Sequence, residues 1–420
     1  MISRVQILVA LAVCFSVCAA AQQGAASQEA LQQTPASAPS QSPPILIPRS
    51  HDERELQYQA RQRVILNVQV TDANGKMVEG LGQNDFSLID DSRVATIANV
   101  RQAAGAASRE NVHVLLVLDA VSSSLRTIAA LRKEVEKYFT QNRDRLPHPI
   151  SLVLVSASGI VVDPPSQDAD VLIAELNQFT QGVRVMDCSK PAGQPMEDAS
   201  GGTITPMNRS DSLNSLHSGD GTATGGETAA QFHAADCKEN QYVSSMGSLT
   251  RLVKGQLDQP GRAIMIWLGP GWPLLSGPGF GPETPAMRRT RFDRLVNLSA
   301  YLLRAQVTLD GVGLPDQSGH AEPASQALKA TAPRTAGEAG PADVALPTLV
   351  RQTGGRIFES SKDVAGEIAA CVEDGDAYYV VSFDAAAEAA GGLGQYHSLE
   401  IKVNHPGVTA RTNSAYFAQP

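Results

Sequence analysis

The segment VHVLLVLDAVSSSLRTIAALRKEV, Val112 to Val135, carries one carboxylate, Asp119, followed by three serines, Ser122, Ser123 and Ser124. Two chemistries suit these residue types at this spacing. A carboxylate and hydroxyls gathered on one turn supply oxygens to a hard cation, which takes about six of them. The same groups can instead satisfy the turn's own amides and cap the helix that follows. No other part of the chain places polar side chains comparably.

Patterns for other chemistry fall short. SMGSL, around Gly247, lacks the G-x-S-x-G arrangement of a serine nucleophile, so Ser248 reads as an exposed or capping helix serine. The eight histidines include no H-E-x-x-H pair, which disfavours a zinc protease, and His113 reads as a packed strand histidine rather than a base. GPGW follows an apolar run, but Pro270 removes an amide donor and no lysine follows, so it is a poor phosphate loop. The chain reads as non-enzymatic.

The elements that position Asp119 follow from apolar spacing. VHVLLVL is a continuous apolar run, as in a parallel strand covered on both faces. Leu125, Ile128, Leu131, Val135 and Tyr138 recur at three and four residues, an amphipathic helix. ISLVLVSASGIVV is a strand or a hairpin turning at Gly159, and DADVLIAELNQF a helix capped by Asp168 or Asp170. YVSSMGSLTRLVKGQL and RFDRLVNLSAYLLRAQ are further helices. RAIMIWL, VTLDGVGL and AYYVVSFD are buried strands, and DVAGEIAACVEDG is a helix closed at Gly375. Ahead of this region Val64, Leu66, Val68 and Val70 alternate at period two, and period two returns in YHSLEIKVNHPGVTARTNSAYF.

Residues 1–21 have the layout of a secretory signal: Arg4, an apolar run from Val5 to Val17, and Ala19 to Ala21 before cleavage. The run is short of the roughly 20 residues that cross a bilayer, so the mature chain is expected to have no transmembrane span and to be secreted, periplasmic or held in the cell envelope. Residues 22–62 are a Pro-, Ser- and Gln-rich spacer without apolar period. A β module covers 63–104 and an α/β domain 110–390, with soft insertions at about 183–240 and 315–342. The strands of 394–420 are expected to pair with the 63–104 module as a β-sandwich-like domain into which the α/β domain is inserted. With a net charge of −9 and no dense basic run, nucleic acid is excluded as a partner. Once the leader is gone three cysteines remain, and Cys188 with Cys237 is the favoured disulfide, because the two bracket one Gly/Ser-rich loop; spacing alone leaves unpaired thiols open.

Together the apolar strand ending in Asp119, the serine-rich turn and AIMIWLGPGWP resemble a von Willebrand factor A domain. More narrowly the chain resembles the bacterial secreted VWFA-related family, through NVQVTDANGKMVEGLGQNDFSLIDD, LTRLVKGQLDQPGRAIMIWLGPGW, LVRQTGGRIF and AYYVVSF, from about Val64 to Phe417 outside the insertions. The resemblance implies a Rossmann-like, mostly parallel sheet flanked by helices, and binding or adhesion at its upper edge. It also implies a metal-ion-dependent adhesion site with the pattern D-x-S-x-S, a later threonine and a further aspartate. Here Asp119 and Ser123 match, Val121 stands in a ligand position, and the later strand ends in Gly269, Pro270 and Gly271 with no carboxylate. Thr222, Thr224 or Thr228 could serve as the threonine, with nothing to choose among them. Mg²⁺ or another divalent ion at Asp119 and Ser123 stays open as the sole cofactor, beside the reading in which the site is degenerate and its groups cap the turn.

The expected binding edge gathers Asp119, Ser122, Ser123, Ser124, Gly269, Gly271 and Trp272, because ligands collect at the carboxyl ends of parallel strands. Trp267 is expected in the core, and Trp272 is an anchor candidate facing a protein or cell-envelope partner. The alternative role is a structural or assembly protein of the envelope, without metal-dependent binding.

Overall fold

The computed structural model describes residues 63–104, 111–144, 146–179, 181–186, 188, 196–197, 203–204, 225–273, 275–313, 332–340, 346–358, 362–385 and 395–418. The expected leader, the expected spacer and most of both expected insertions therefore lie outside the described residues.

In chain order, β1 (Arg63–Thr71), β2 (Phe86–Asp90), β3 (Arg93–Ala95) and β4 (Ile97–Ala104) come first. Then follow β5 (Val112–Asp119), α1 (Leu125–Gln141), β6 (Ile150–Ser156), β7 (Gly159–Val162) and α2 (Ala169–Phe179). A two-strand pair, β8 (Met196–Glu197) and β9 (Thr203–Ile204), precedes α3 (Gly225–Gln256), β10 (Arg262–Leu268), α4 (Pro285–Arg304) and β11 (Val307–Val312). The chain continues through α5 (Leu346–Gln352), β12 (Ile357–Phe358), α6 (Val364–Glu373), β13 (Ala377–Asp384), β14 (Tyr396–Val403), β15 (Thr409–Arg411) and β16 (Ala415–Phe417).

Six strands form the central sheet in the order β12-β11-β10-β5-β6-β7, parallel except for the β6–β7 hairpin. Counted within the α/β module this is a doubly wound order, growing outward in both directions from the pair β5 and β10. Alternation along β5 shows how the two faces are filled. Val114, Leu116 and Leu118 join a core with Ile128, Leu131 and Val135 of α1, Leu172 of α2 and Ile368 of α6. Leu115 and Val117 join another with Tyr242, Met246 and Leu249 of α3, Leu295 of α4 and Leu349 of α5. Burial on both faces is why the run VHVLLVL shows no polar alternation.

The terminal strands close on the early ones. One antiparallel sheet runs β15-β1-β13-β4 and a second runs β16-β14-β2-β3. Leu66, Val68 and Val381 of the first face Leu88, Leu399 and Ile401 of the second across a shared core, with Phe86 and Tyr379 rings 5.2 Å apart. This is the expected sandwich, with the α/β module inserted in its chain.

Two boundaries differ from the sequence reading. β13, expected inside an α/β domain of 110–390, pairs with β1 and β4 instead. It looks like a buried parallel strand because both its faces are covered: Tyr379, Val381 and Phe383 enter the sandwich core and Tyr378 the α/β core. The insertion of about 183–240 also ends earlier than expected, since α3 begins at Gly225. Its first turns hold four alanines, Ala229, Ala230, Ala234 and Ala235, good helix formers interspersed with polar residues that hide any apolar stripe.

Where the modules meet, Asp374, at the end of α6, is 5% exposed. Its carboxylate accepts from Arg356 Nε at 3.0 Å and Nη2 at 2.8 Å, and from Arg411 of β15. Its backbone carbonyl accepts from Arg262 of β10 at 2.8 Å and from Gln69 of β1. Burial pushes its carboxyl up, but the bonds and charges of Arg356 and Arg411 outweigh burial and hold it below the usual range. Close by, Asp310 of β11 is fully buried; Oδ1 accepts from the Arg356 amide at 2.6 Å, while Oδ2 has no partner. Burial raises its carboxyl to about 7.

Removing the Asp374 carboxylate strands two guanidinium groups, those of Arg356 and Arg411, at the junction, so Asp374→Ala should lower unfolding free energy by about 3–5 kcal/mol in urea titrations. Native Asp310 keeps its proton up to about pH 7, whereas the unfolded group loses it near pH 4. Native protein therefore binds the extra proton between those values, and stability falls as pH rises through that window. Asp310→Asn, isosteric and uncharged, should flatten that fall and be more stable than the parent at pH 8. Equal pH profiles for the two proteins would refute the assignment.

Candidate functional site: the upper edge of the central sheet

Asp119 is the last residue of β5 and is fully buried. Oδ1 accepts from the amides of Val121 at 3.0 Å and Ser122 at 3.1 Å. Oδ2 accepts from the indole Nε1–H of Trp267 at 3.1 Å. Parallel pairing fixes that last contact: β10 sets Trp267 beside Val117 and Leu268 beside Leu118, leaving the indole to reach along the α3 face. Burial raises the Asp119 carboxyl to about 6, opposed by the Ser122 amide, Trp267 and the Val121 amide.

The serines divide their work. Ser124 is the N-cap of α1, its Oγ accepting from the Thr127 amide at 3.1 Å, a contact worth about 1 kcal/mol. Ser122 Oγ lies 3.4 Å from Ser245 Oγ of α3. Ser123 Oγ is buried without a partner. Val121, in the ligand position, is fully buried in the α3 core, and its carbonyl accepts from Gln241 at 3.1 Å. Gln241 donates also to the Met186 carbonyl at 2.6 Å, so one α3 side chain fixes two loops.

Gly269, Pro270 and Gly271 close the edge. Gly269 (φ 141°) sits where a Cβ would come within 3.1 Å of the Asp119 Cβ and 3.2 Å of Ser123 Oγ. Gly271 (φ 74°) sits where one would strike Leu346 at 2.8 Å. Of the expected edge residues, Asp119, Ser123, Gly269, Gly271 and Trp272 are buried, Ser122 is half-buried and Ser124 is exposed. Trp272 is thus not a partner-facing anchor. It packs edge-on against Trp267, ring centroids 5.9 Å apart, in the α3-side core.

A hard cation does not fit this arrangement. Each Asp119 oxygen already accepts from N–H donors, Val121 offers only carbon, and Gly269 to Gly271 bring no carboxylate. Thr222 and Thr224 lie outside the described residues, as does the side chain of Thr228. Among other sequence candidates, Ser248 is buried within α3 rather than exposed. His113 is half-buried and bonded to Gln256.

Cys188 and Cys237 are joined by a disulfide that pins α3 to the chain after α2, and Cys371 is free and buried. Because Gln241 and Ser245 stand level with the β5–α1 turn, the part of α3 before Gln241 runs past the upper edge. At 1.5 Å per residue that projection is roughly 24 Å long. It carries Phe232, 55% exposed, while Ala235 is covered by the loop at Gly279. Neither the Trp267–Asp119 bond nor the length of α3 leaves a local signal in sequence.

No protein-family model matches the chain. No curated protein matches it either. Solved structures similar to it include a von Willebrand factor type A protein from Catenulispora acidiphila (10% identity, TM-score 0.26, 86% of this chain and 75% of that one). Others are the human COPII-coat protein Sec24c (9%, 0.29, 73% and 44%) and the pilus adhesin SpaC from Lactobacillus rhamnosus GG (8%, 0.31, 80% and 48%). This chain thus spans less than half the length of the coat protein and of the adhesin. Values this low carry no argument about this chain. In its own strand order the α/β module is a doubly wound, mostly parallel sheet between two helical layers.

Since Trp267 donates directly to Asp119, protonation of that carboxylate should be visible in indole emission. A fluorescence titration of the folded protein is expected to show a midpoint near pH 6 that vanishes in Asp119→Asn. Stability attributable to this group is present below about pH 4 and falls as pH rises to about 6, because the native state holds the proton longer. An unchanged titration in the variant would contradict the assignment.

Proposed function

We propose that this chain is a secreted or envelope-associated, non-enzymatic binding module that engages a protein or envelope partner without a divalent ion. The observation that carries this reading is the closure of Asp119. Its two oxygens accept three N–H donors supplied by the fold itself, so the carboxylate acts as a turn-forming group. With Trp272 and both glycines buried, the partner surface shifts from the strand ends to what stands above them: exposed Ser124 and Pro270, and the projecting start of α3 with Phe232. No helix among the described residues is long and apolar enough to cross a membrane, which is compatible with this reading.

A structural or assembly role in the envelope is the second reading, favoured by the same burial, which leaves little of the expected edge open to a ligand. Calorimetric titration of the mature protein with Mg²⁺ and Mn²⁺ should give no binding heat that Asp119→Ala removes. Binding to envelope fractions should persist in EDTA and weaken in Phe232→Asp. A saturable one-to-one heat abolished by Asp119→Ala would overturn the metal-independent reading. Envelope binding indifferent to Phe232→Asp would favour the assembly role.

A further inference from the structure

The sandwich holds a second convergence of ligating groups, remote in sequence from the upper edge. Asp90 ends β2, Asp91 opens the turn to β3 with φ at 47°, and His397 is the second residue of β14. Antiparallel pairing sets Leu399 opposite Asp90, and this brings His397 onto the turn. His397 Nδ1 then lies 3.1 Å from Asp90 Oδ1 and 3.1 Å from Asp91 Oδ2. The remaining oxygens are held from behind. Asp90 Oδ2 accepts from the Tyr416 hydroxyl at 2.8 Å, and Asp91 Oδ1 from Ser398 N at 2.9 Å and Ser398 Oγ at 3.1 Å.

Bonds of 2.0–2.2 Å in a tetrahedron put its ligand atoms about 3.3 Å apart; His397 Nδ1 already stands near that spacing from each carboxylate, and the ligand atoms of the three residues lie within 4.8 Å of one another. His397 makes this more than a patch of acid. Its side chain is 6% exposed and stacked on Tyr416 at 4.8 Å, and its Nδ1 is shared between the two carboxylates, hydrogen-bonded to Asp90 Oδ1. One nitrogen and two carboxylate oxygens suit Zn²⁺, whereas Mg²⁺ would require about six oxygens. Tyr416 and Ser398 supply the outer hydrogen bonds that orient ligating carboxylates. Asp91 is exposed, which opens a fourth position to water.

We propose that Asp90, Asp91 and His397 form a Zn²⁺ site that ties the β2–β3 turn to β14 and, through Tyr416, to the last strand. The site is independent of what the upper edge binds.

Co²⁺ is the spectroscopic probe, added to the full mature chain freed of metal. One equivalent should produce visible d–d bands that Zn²⁺ displaces, and Zn²⁺ should raise the melting temperature by mass action. His397→Gln should lose both effects. Asp91→Asn should lose them too while melting like the parent without metal, because asparagine tolerates the left-handed backbone. No saturable bands in the parent, or bands and a Zn²⁺ shift that persist in Asp91→Asn, would overturn the site.

Discussion

One buried carboxylate, at the seam between the two modules, joins elements from both. Asp374 accepts through its side chain from Arg356 and Arg411, and through its backbone from Arg262 and Gln69. These partners come from the central sheet and from both ends of the sandwich. A buried ion pair of this kind adds little net stability over an apolar substitute, because desolvation offsets much of its attraction. Its geometry is specific: the carboxylate meets the guanidinium groups of Arg356 and Arg411, while the backbone carbonyl of the same residue meets Arg262 of the central sheet.

The same economy of buried carboxylates organises the upper edge. An aspartate at the end of a central strand, beside serines and under a helix, has the makings of a cation site. With Val121 and Gly269 beside Asp119 offering no side-chain oxygen, too few ligands are present to compensate a dehydrated divalent ion. The fold compensates the carboxylate instead, with two amides of the turn and the indole of Trp267. Three donors from the fold thus tie the turn between β5 and α1 to the end of β5 and to Trp267 of β10.

Much of the fold was legible in the sequence. Period-two alternation marked β1 and β14, three-four spacing marked α1, and the unbroken apolar runs marked β5 and β10 as strands covered twice. Those signals are local, and they failed where burial had an unexpected source. AYYVVSFD reads like another parallel strand, yet its second face is covered by the sandwich rather than by helices. The start of α3 reads as loop because its helix is held by a disulfide and one covering loop, not by an apolar stripe. At the site, sequence reached Asp119 and the missing oxygen at Val121, but not Trp267 or Gln241. Their roles follow from strand register and from a helix arriving more than a hundred residues later, as the separation of Gln241 from Val121 by 120 positions illustrates.

The central claim, that Asp119 is a structural hydrogen-bond acceptor and not a cation ligand, is tested most directly by diffraction from crystals grown in Mn²⁺. The account predicts no anomalous peak at Asp119 and Ser123, with Trp267 Nε1 still about 3.1 Å from Asp119 Oδ2. A Mn²⁺ peak bridging Asp119 and Ser123, with the indole displaced, would contradict it.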